Sequence, residues 1–197
     1  MHLEIPGHKD GLLSYFSSFY PLTEGDRTTI ASFFRAERFL EGRNLFNGNM
    51  VCKELFFIVS GIVRIISINS QGEEITYFFI GPGQICTILD SFISNTITDI
   101  AIQASSNAEV LIIDKNSYDI LCHKLPFFSG IIDRINQNRL LEKVKLKNSY
   151  SGLDATERYH QFLRLQADVA YQVPLNHIAT YLGVTPQSLS RIRKAVR

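Results

Sequence analysis

The sequence predicts an α+β protein in three parts. These are an N-terminal β-roll of the jelly-roll type (a double-stranded β-helix) with flanking helices, one long helix, and a C-terminal helix-turn-helix unit. Three observations carry this prediction. Residues 36–114 hold short apolar runs separated by turn residues, the pattern of an all-β roll. Residues 127–150 hold one helical pattern free of proline. Residues 173–197, VPLNHIATYLGVTPQSLSRIRKAVR, hold two short helical patterns joined by a glycine. The boundaries that follow are 1–125 for the roll with its helices, 126–150 for the long helix and 151–197 for the last unit.

In order along the chain, Leu12, Leu13, Tyr15, Phe16 and Phe19, then Ile30, Phe33 and Phe34, recur at helical spacing. Pro21 and Gly25 divide them into two short helices. The strand-like runs are 55–59, 62–68, 75–80, 97–104 and 110–113, with Gly61, 69–72, 81–83 and 105–107 as turns. The β-branched run Ile62-Val-Arg-Ile-Ile-Ser-Ile68 favours strand over helix. Asp114 is placed to cap a short helix through Cys122. Pro126 opens the long helix, with Phe128, Ile131, Ile132 and Ile135 on one face and Leu140, Leu141 and Val144 on a rotated one. A helix with two apolar faces needs two partners. One is its own roll, and the other is the same helix of a second copy in a coiled-coil-like seam. Phe128, Ile131, Ile132 and Ile135 are taken as the dimer face, with burial inside one subunit as the alternative. Ser151-Gly152 breaks the helix, and Asp154 opens an amphipathic one carrying Tyr159, Phe162, Leu163 and Leu165.

Hydrophobic residues make up 45% and charged residues 20% of the chain, so a globular core is expected. No window approaches ~18 consecutive apolar residues, and the start MHLEIPGHKDG has no basic region followed by an apolar run. A cytoplasmic protein without a membrane partner is expected. Cys52, Cys86 and Cys122 are scattered, which reads as reduced buried thiols with no metal site. A lone Cys86 in an apolar run reads as core, not as a haem ligand, so no cofactor is expected. His2, His8, His123, His160 and His177 all fall outside the roll, which argues against a metal-dependent jelly-roll enzyme and for no catalytic residues.

The C-terminal pattern carries the functional expectation. A first helix over about 175–182 buries Ile178, Ala179 and Leu182. Gly183 turns the chain, Thr185 caps, and Pro186 opens a second helix over about 186–195 with Leu189 and Ile192 buried. Gln187, Ser188 and Arg191 then face outward, suited to base edges in a major groove of double-stranded DNA. Thr185, Arg193, Lys194 and Arg197 suit phosphates. The whole chain is only +1, but residues 151–197 hold six basic and three acidic side chains, so +3, with four of the bases in the last seven positions. The alternatives are a helical hairpin packed inside the domain, or a ligand-binding or scaffold roll whose helix-turn-helix no longer binds DNA.

The stretch HIATYLGVTPQSLSRIRK resembles the helix-turn-helix of the Crp/Fnr family, and LFFIVSGIVRI, GEEITYFFIGPGQI and AIQASSNAEVLIID resemble its cyclic-nucleotide-binding-like roll. The resemblance covers nearly the whole chain in the family's order. It implies a transcription regulator, a homodimer, a small-molecule effector, a cytoplasmic location and contact with RNA polymerase. Recognition-helix roles carry over to Gln187, Ser188 and Arg191. The full wing that many members carry after this helix is missing, which would remove some phosphate contacts.

The family's nucleotide pocket uses a Gly-Glu pair and an Arg-Ser-Ala run. Aligned from Gly83 without gaps, these fall on Thr87-Ile88 and on Thr98-Asp99-Ile100, so every charged ligand is replaced. Asp99 would stand beside the phosphate position. An unpaired phosphate there costs several kcal/mol, so tight binding of cyclic AMP is not expected. The expected effector pocket is Ile85, Cys86, Thr87, Ile88, Leu89, Thr98, Asp99 and Ile100, with Ile102 nearby. Its lining suits an apolar or uncharged effector of unknown identity.

Overall fold

The computed structural model describes residues 8–195. Two helices open the chain, α1 (His8–Ser17) and α2 (Glu24–Phe33). A capping box starts α2: the Thr23 hydroxyl accepts from the Asp26 amide, and the Asp26 carboxylate accepts from the Thr23 amide at 2.9 Å. The roll follows as β1 (Arg35–Phe39), β2 (Asn44–Phe46), β3 (Met50–Val51), β4 (Glu54–Ser60), β5 (Val63–Ile68), β6 (Glu74–Ile80), β7 (Ile85–Cys86), α3 (Leu89–Ser94), β8 (Ile97–Thr98), β9 (Ala101–Ala104) and β10 (Ala108–Asp114). One sheet runs β1-β10-β4-β7 and the facing sheet β2-β9-β5-β6, while β3 and β8 form a separate ribbon.

The continuous apolar character of β4 and β10 has a physical cause. Phe56, Ile58, Val110 and Ile112 point between the two sheets, against Val63, Ile65, Ile102 and Ala104. Their neighbours Leu55, Phe57, Leu111 and Ile113 point the other way, onto Leu12, Phe16, Ile30 and Leu121 of the surrounding helices. These strands are covered on both faces, so neither shows polar alternation. Gly61 makes the β4–β5 turn possible: its φ is +78°, and a Cβ there would stand 2.1 Å from the Asn107 carbonyl oxygen.

Asp114 caps α4 (Lys115–Lys124), accepting from the Ser117 amide at 2.9 Å. The long helix α5 (Phe127–Asn148) has 22 residues, so it is about 33 Å long at ~1.5 Å per residue. Its first half corrects the expected dimer face. Phe128, Ile131, Ile132 and Ile135 are all buried in the chain's own helical core against α1, α2 and α4. Side chains already enclosed within one chain cannot also form a seam with another. The rotated face, Leu140, Leu141 and Val144, remains 62%, 59% and 48% exposed.

After Gly152 (φ +77°), Asp154 and Glu157 form a capping box that starts α6 (Ala155–Leu165). Then come α7 (Ala167–Gln172), α8 (Leu175–Leu182) and α9 (Pro186–Ala195). No described helix is long and apolar enough to cross a membrane.

Candidate nucleic-acid interface and effector cavity

The last two helices are set by local chemistry. Gly183 ends α8 in the left-handed region at φ +68°, its amide donating to the Ala179 carbonyl. The Thr185 hydroxyl accepts from the Ser188 amide at 3.1 Å and donates to the Ser188 hydroxyl at 3.0 Å. Leu189 is fully buried and anchors α9 on α6 and α8 with Ile178, Ala179, Leu182 and Phe162. With Leu189 inward, Gln187, Ser188 and Arg191 are exposed, as are Arg193 and Lys194. Arg193 lies nearer the packed side and lines a hollow of about 230 Å³ with Tyr159 and Tyr171. Lys194 sits on the outward stripe, three residues beyond Arg191. Arg197 lies outside the described residues.

Helix α8 is docked on the roll of the same chain. Ile62 and Phe79 pack with Phe162, Ile178 and Leu182. The Ser105 hydroxyl stands 2.7 Å from His177 Nδ1, and the Thr76 and Thr180 hydroxyls are 2.8 Å apart. Burial first, and the nearby Arg64 guanidinium second, hold the His177 imidazole down to about 4, so it is neutral at pH 7. Arg64 is itself buried and donates to Gln103 (2.9 Å) and Thr76 (3.0 Å), and it pairs with Glu74.

A cavity of about 240 Å³ opens between the roll and α5. The roll contributes Ile65, Ile80, Ile85, Cys86, Thr87 and Leu89, and α5 contributes Asn136, Gln137, Arg139, Leu140 and Lys143. Of the expected pocket, Ile85, Cys86, Thr87 and Leu89 line this space. Ile88 does not line it, and packs in the core between the sheets. Thr98, Asp99 and Ile100 are also elsewhere. Thr98 pairs with Met50 in the β3–β8 ribbon, Asp99 is exposed, and Ile100 packs against the intersheet core. The ribbon carries this segment away from α5, so Asp99 does not set the charge of the cavity. The α5 contribution was missed from sequence. Its signal was Asn136, Arg139 and Lys143 at i, i+3 and i+7, a polar stripe on one helical face.

Arg139 donates to Gln84 at 2.8 Å and lies 3.3 Å from the exposed Glu142 carboxylate. Lys143 Nζ stands 4.6 Å from the centre of the Phe78 ring. Among the described residues it makes no ion pair. Burial pulls its pKa below the usual lysine range, with Cys86 opposing the shift and Arg139 adding to it. Burial pushes the Cys86 thiol up to about 12, so this neighbour is uncharged at pH 7.

A double-sheet roll, a long helix leaving it and a C-terminal helical unit ending in the pair α8 and α9 define the architecture: a cyclic nucleotide-binding-type roll joined to a small helical unit. The family model for the cyclic nucleotide-binding domain matches residues 36–124. A curated relative, the cyclic AMP receptor protein of Thermus thermophilus, is 21% identical over 182 residues, covering 90% of this chain and 84% of the relative. A solved structure from Eubacterium rectale, assigned to the Crp/Fnr family of transcriptional regulators, superposes with a TM-score of 0.71 at 18% identity, covering 92% of this chain and 87% of that one. The c-di-GMP-responsive global regulator CLP of Xanthomonas campestris superposes at 0.68 with 17% identity, covering 88% and 91%. The chain therefore carries a segment similar to the cyclic nucleotide-binding domain and shares its overall fold with these Crp/Fnr structures.

Proposed function

We propose that this chain is a sequence-specific DNA-binding transcription regulator of the Crp/Fnr type, working in the cytoplasm as a homodimer in contact with RNA polymerase. One observation carries the reading: Gln187, Ser188 and Arg191 stand exposed together on a helix that buried Leu189 holds rigidly. Gln and Arg offer paired hydrogen bonds to adenine and guanine edges. Thr185 at the helix start, with Arg193 and Lys194 and with Arg197 beyond, supplies phosphate contacts. Dimerisation is assigned to Leu140, Leu141 and Val144 of α5. Two-fold symmetry then sets the recognition helices ~34 Å apart, one turn of DNA.

Effector control is assigned to the cavity between the roll and α5, without tight binding of cyclic AMP. The hairpin β5–β6 supports this. Ile65 and Ile80 line the cavity, while Ile62, Arg64, Thr76 and Phe79 of the same hairpin contact or lie beside α8. A ligand that displaces the inner face therefore acts on the element carrying the helix-turn-helix.

Binding to the DNA upstream of the protein's own gene, followed by fluorescence anisotropy across a salt series, tests the regulator reading. Arg193, Lys194 and Arg197 from two chains neutralise about six phosphates, so log affinity against log salt should have a slope of about −5.4. Absence of DNA binding would leave a ligand-binding or scaffold protein. Salt-independent binding would contradict the phosphate roles.

A further inference from the structure

We propose that the cavity between the roll and α5 is a site for a small amphipathic carboxylate, its anionic head held by Arg139 and Lys143 of α5 and its apolar body by Ile65, Ile80 and Ile85. This rests on the effector reading of the same cavity and names the chemistry of the ligand.

The charge balance is the first argument. Arg139 and Lys143, one helical turn apart on α5, line this half-buried space and also the neighbouring hollow of about 510 Å³ that Phe78, Gln84 and Glu142 line. Arg139 has an exposed carboxylate at 3.3 Å, and Lys143 has none among the described residues. The Phe78 ring face near Lys143 offers partial compensation only. The Cys86 thiol cannot supply the missing negative charge at pH 7. A half-buried lysine without a carboxylate is costly unless something else neutralises it, and the open space beside it has room for that group. One missing negative charge calls for a monoanion.

The lining gives the rest of the ligand. Away from the two cations the roll presents branched aliphatic side chains, which favour a hydrocarbon body. The volume, about 240 Å³, equals the share of roughly eight water molecules at ~30 Å³ each, so the ligand is small. The roll offers no carboxylate for a ribose hydroxyl at Thr87-Ile88 and no arginine for a phosphate at Thr98-Asp99-Ile100. Head-group recognition therefore comes from the helix, where the side chains of Asn136 and Gln137 add further polar groups to the lining.

Isothermal titration of the full chain with hexanoate, octanoate and decanoate, each against its primary amide, is the test. At least one acid should bind tenfold or more tighter than its amide. The advantage should vanish in Lys143→Met and persist in Lys147→Met, an exposed cation on the same helix. Without any ligand, Lys143→Met should melt higher than the parent, because it removes an uncompensated charge. Equal binding of acids and amides, no binding of any of the three acids, cyclic AMP binding as tightly as the best acid, or no gain in melting temperature would each overturn the proposal. DNA binding is scored separately by anisotropy. Acid binding without DNA binding sinks the regulator reading alone, and DNA binding without acid binding sinks this one alone.

Discussion

Replacing Leu140, Leu141 and Val144 together with alanine should turn a dimer into a monomer without unfolding the chain. These side chains sit at i, i+1 and i+4 on the second half of α5 and remain 62%, 59% and 48% exposed in a single chain. Fully burying such a side chain contributes about 1.5–3 kcal/mol. Roughly half of that is still available at each position, so about 1 kcal/mol each and about 6 kcal/mol across two chains. At ~1.4 kcal/mol per decade, the triple variant should weaken dimerisation by about four orders of magnitude. Alanine keeps helix propensity high, so α5 itself should persist. Light scattering at micromolar concentration should report twice 22.4 kDa for the parent and 22.4 kDa for the variant, with matching far-ultraviolet circular dichroism. Ile132→Ala, which opens a buried site in the chain's own core, should instead destabilise the monomer by about 2–5 kcal/mol. A parent that is monomeric at all concentrations, or a triple variant that dimerises as tightly as the parent, would refute the assignment of the seam.

Arg191→Ala should cost about 1–3 kcal/mol on the preferred sequence while leaving binding to random DNA nearly unchanged, as competition anisotropy would show. Lys194→Ala should weaken all sequences alike and flatten the salt slope of the dimer by about 1.8. The His177 imidazole is neutral and buried when folded, with a pKa of about 4 against 6.5 when free. The unfolded chain therefore takes up the proton first. Its contribution is complete above about pH 6.5 and is lost as pH falls toward 4, by up to about 3 kcal/mol. Urea midpoints measured from pH 7 to pH 4 should fall accordingly, and His177→Asn should flatten that dependence. Gly183→Ala meets only a left-handed φ in open space and should cost about 1–2 kcal/mol. Gly61→Ala adds a clash with the Asn107 backbone and should cost clearly more in the same denaturation assay.

What was legible in the sequence divides by sequence distance. The bounds of α8 and α9, the Asp114 cap, the start of α6 at Asp154 and the turn at Gly183 could be read because each depends on residues within about one helical turn. Strand β1 was not legible because it is a charged edge. Arg35 and Arg38 pair at 2.5 Å with Glu54 of β4 and Glu109 of β10, and four of its five residues are exposed, so the alternation that marks a strand is absent. The run 97–104 read as one strand but is two in different sheets, because β8 pairs with β3 and β9 with β2 and β5. Helical α3 was not anticipated, and of its residues only Leu89 was expected in the pocket.

The misassigned face of α5 and the missed cations share one cause. Periodicity counts the faces of a helix and does not say what meets each of them. The face with the larger aromatic and β-branched side chains, Phe128 to Ile135, buries more area and is therefore claimed by the partner present at every concentration, the chain's own helices. The weaker face is left for a contact between chains. The stripe between these two faces, Asn136, Arg139 and Lys143, looks like ordinary solvated polarity until the roll is folded against it. Only then do side chains nearly sixty positions apart, such as Ile85 and Lys143, enclose one space. The chemistry of the cavity is a property of that closure, so no reading of either segment alone could have shown it.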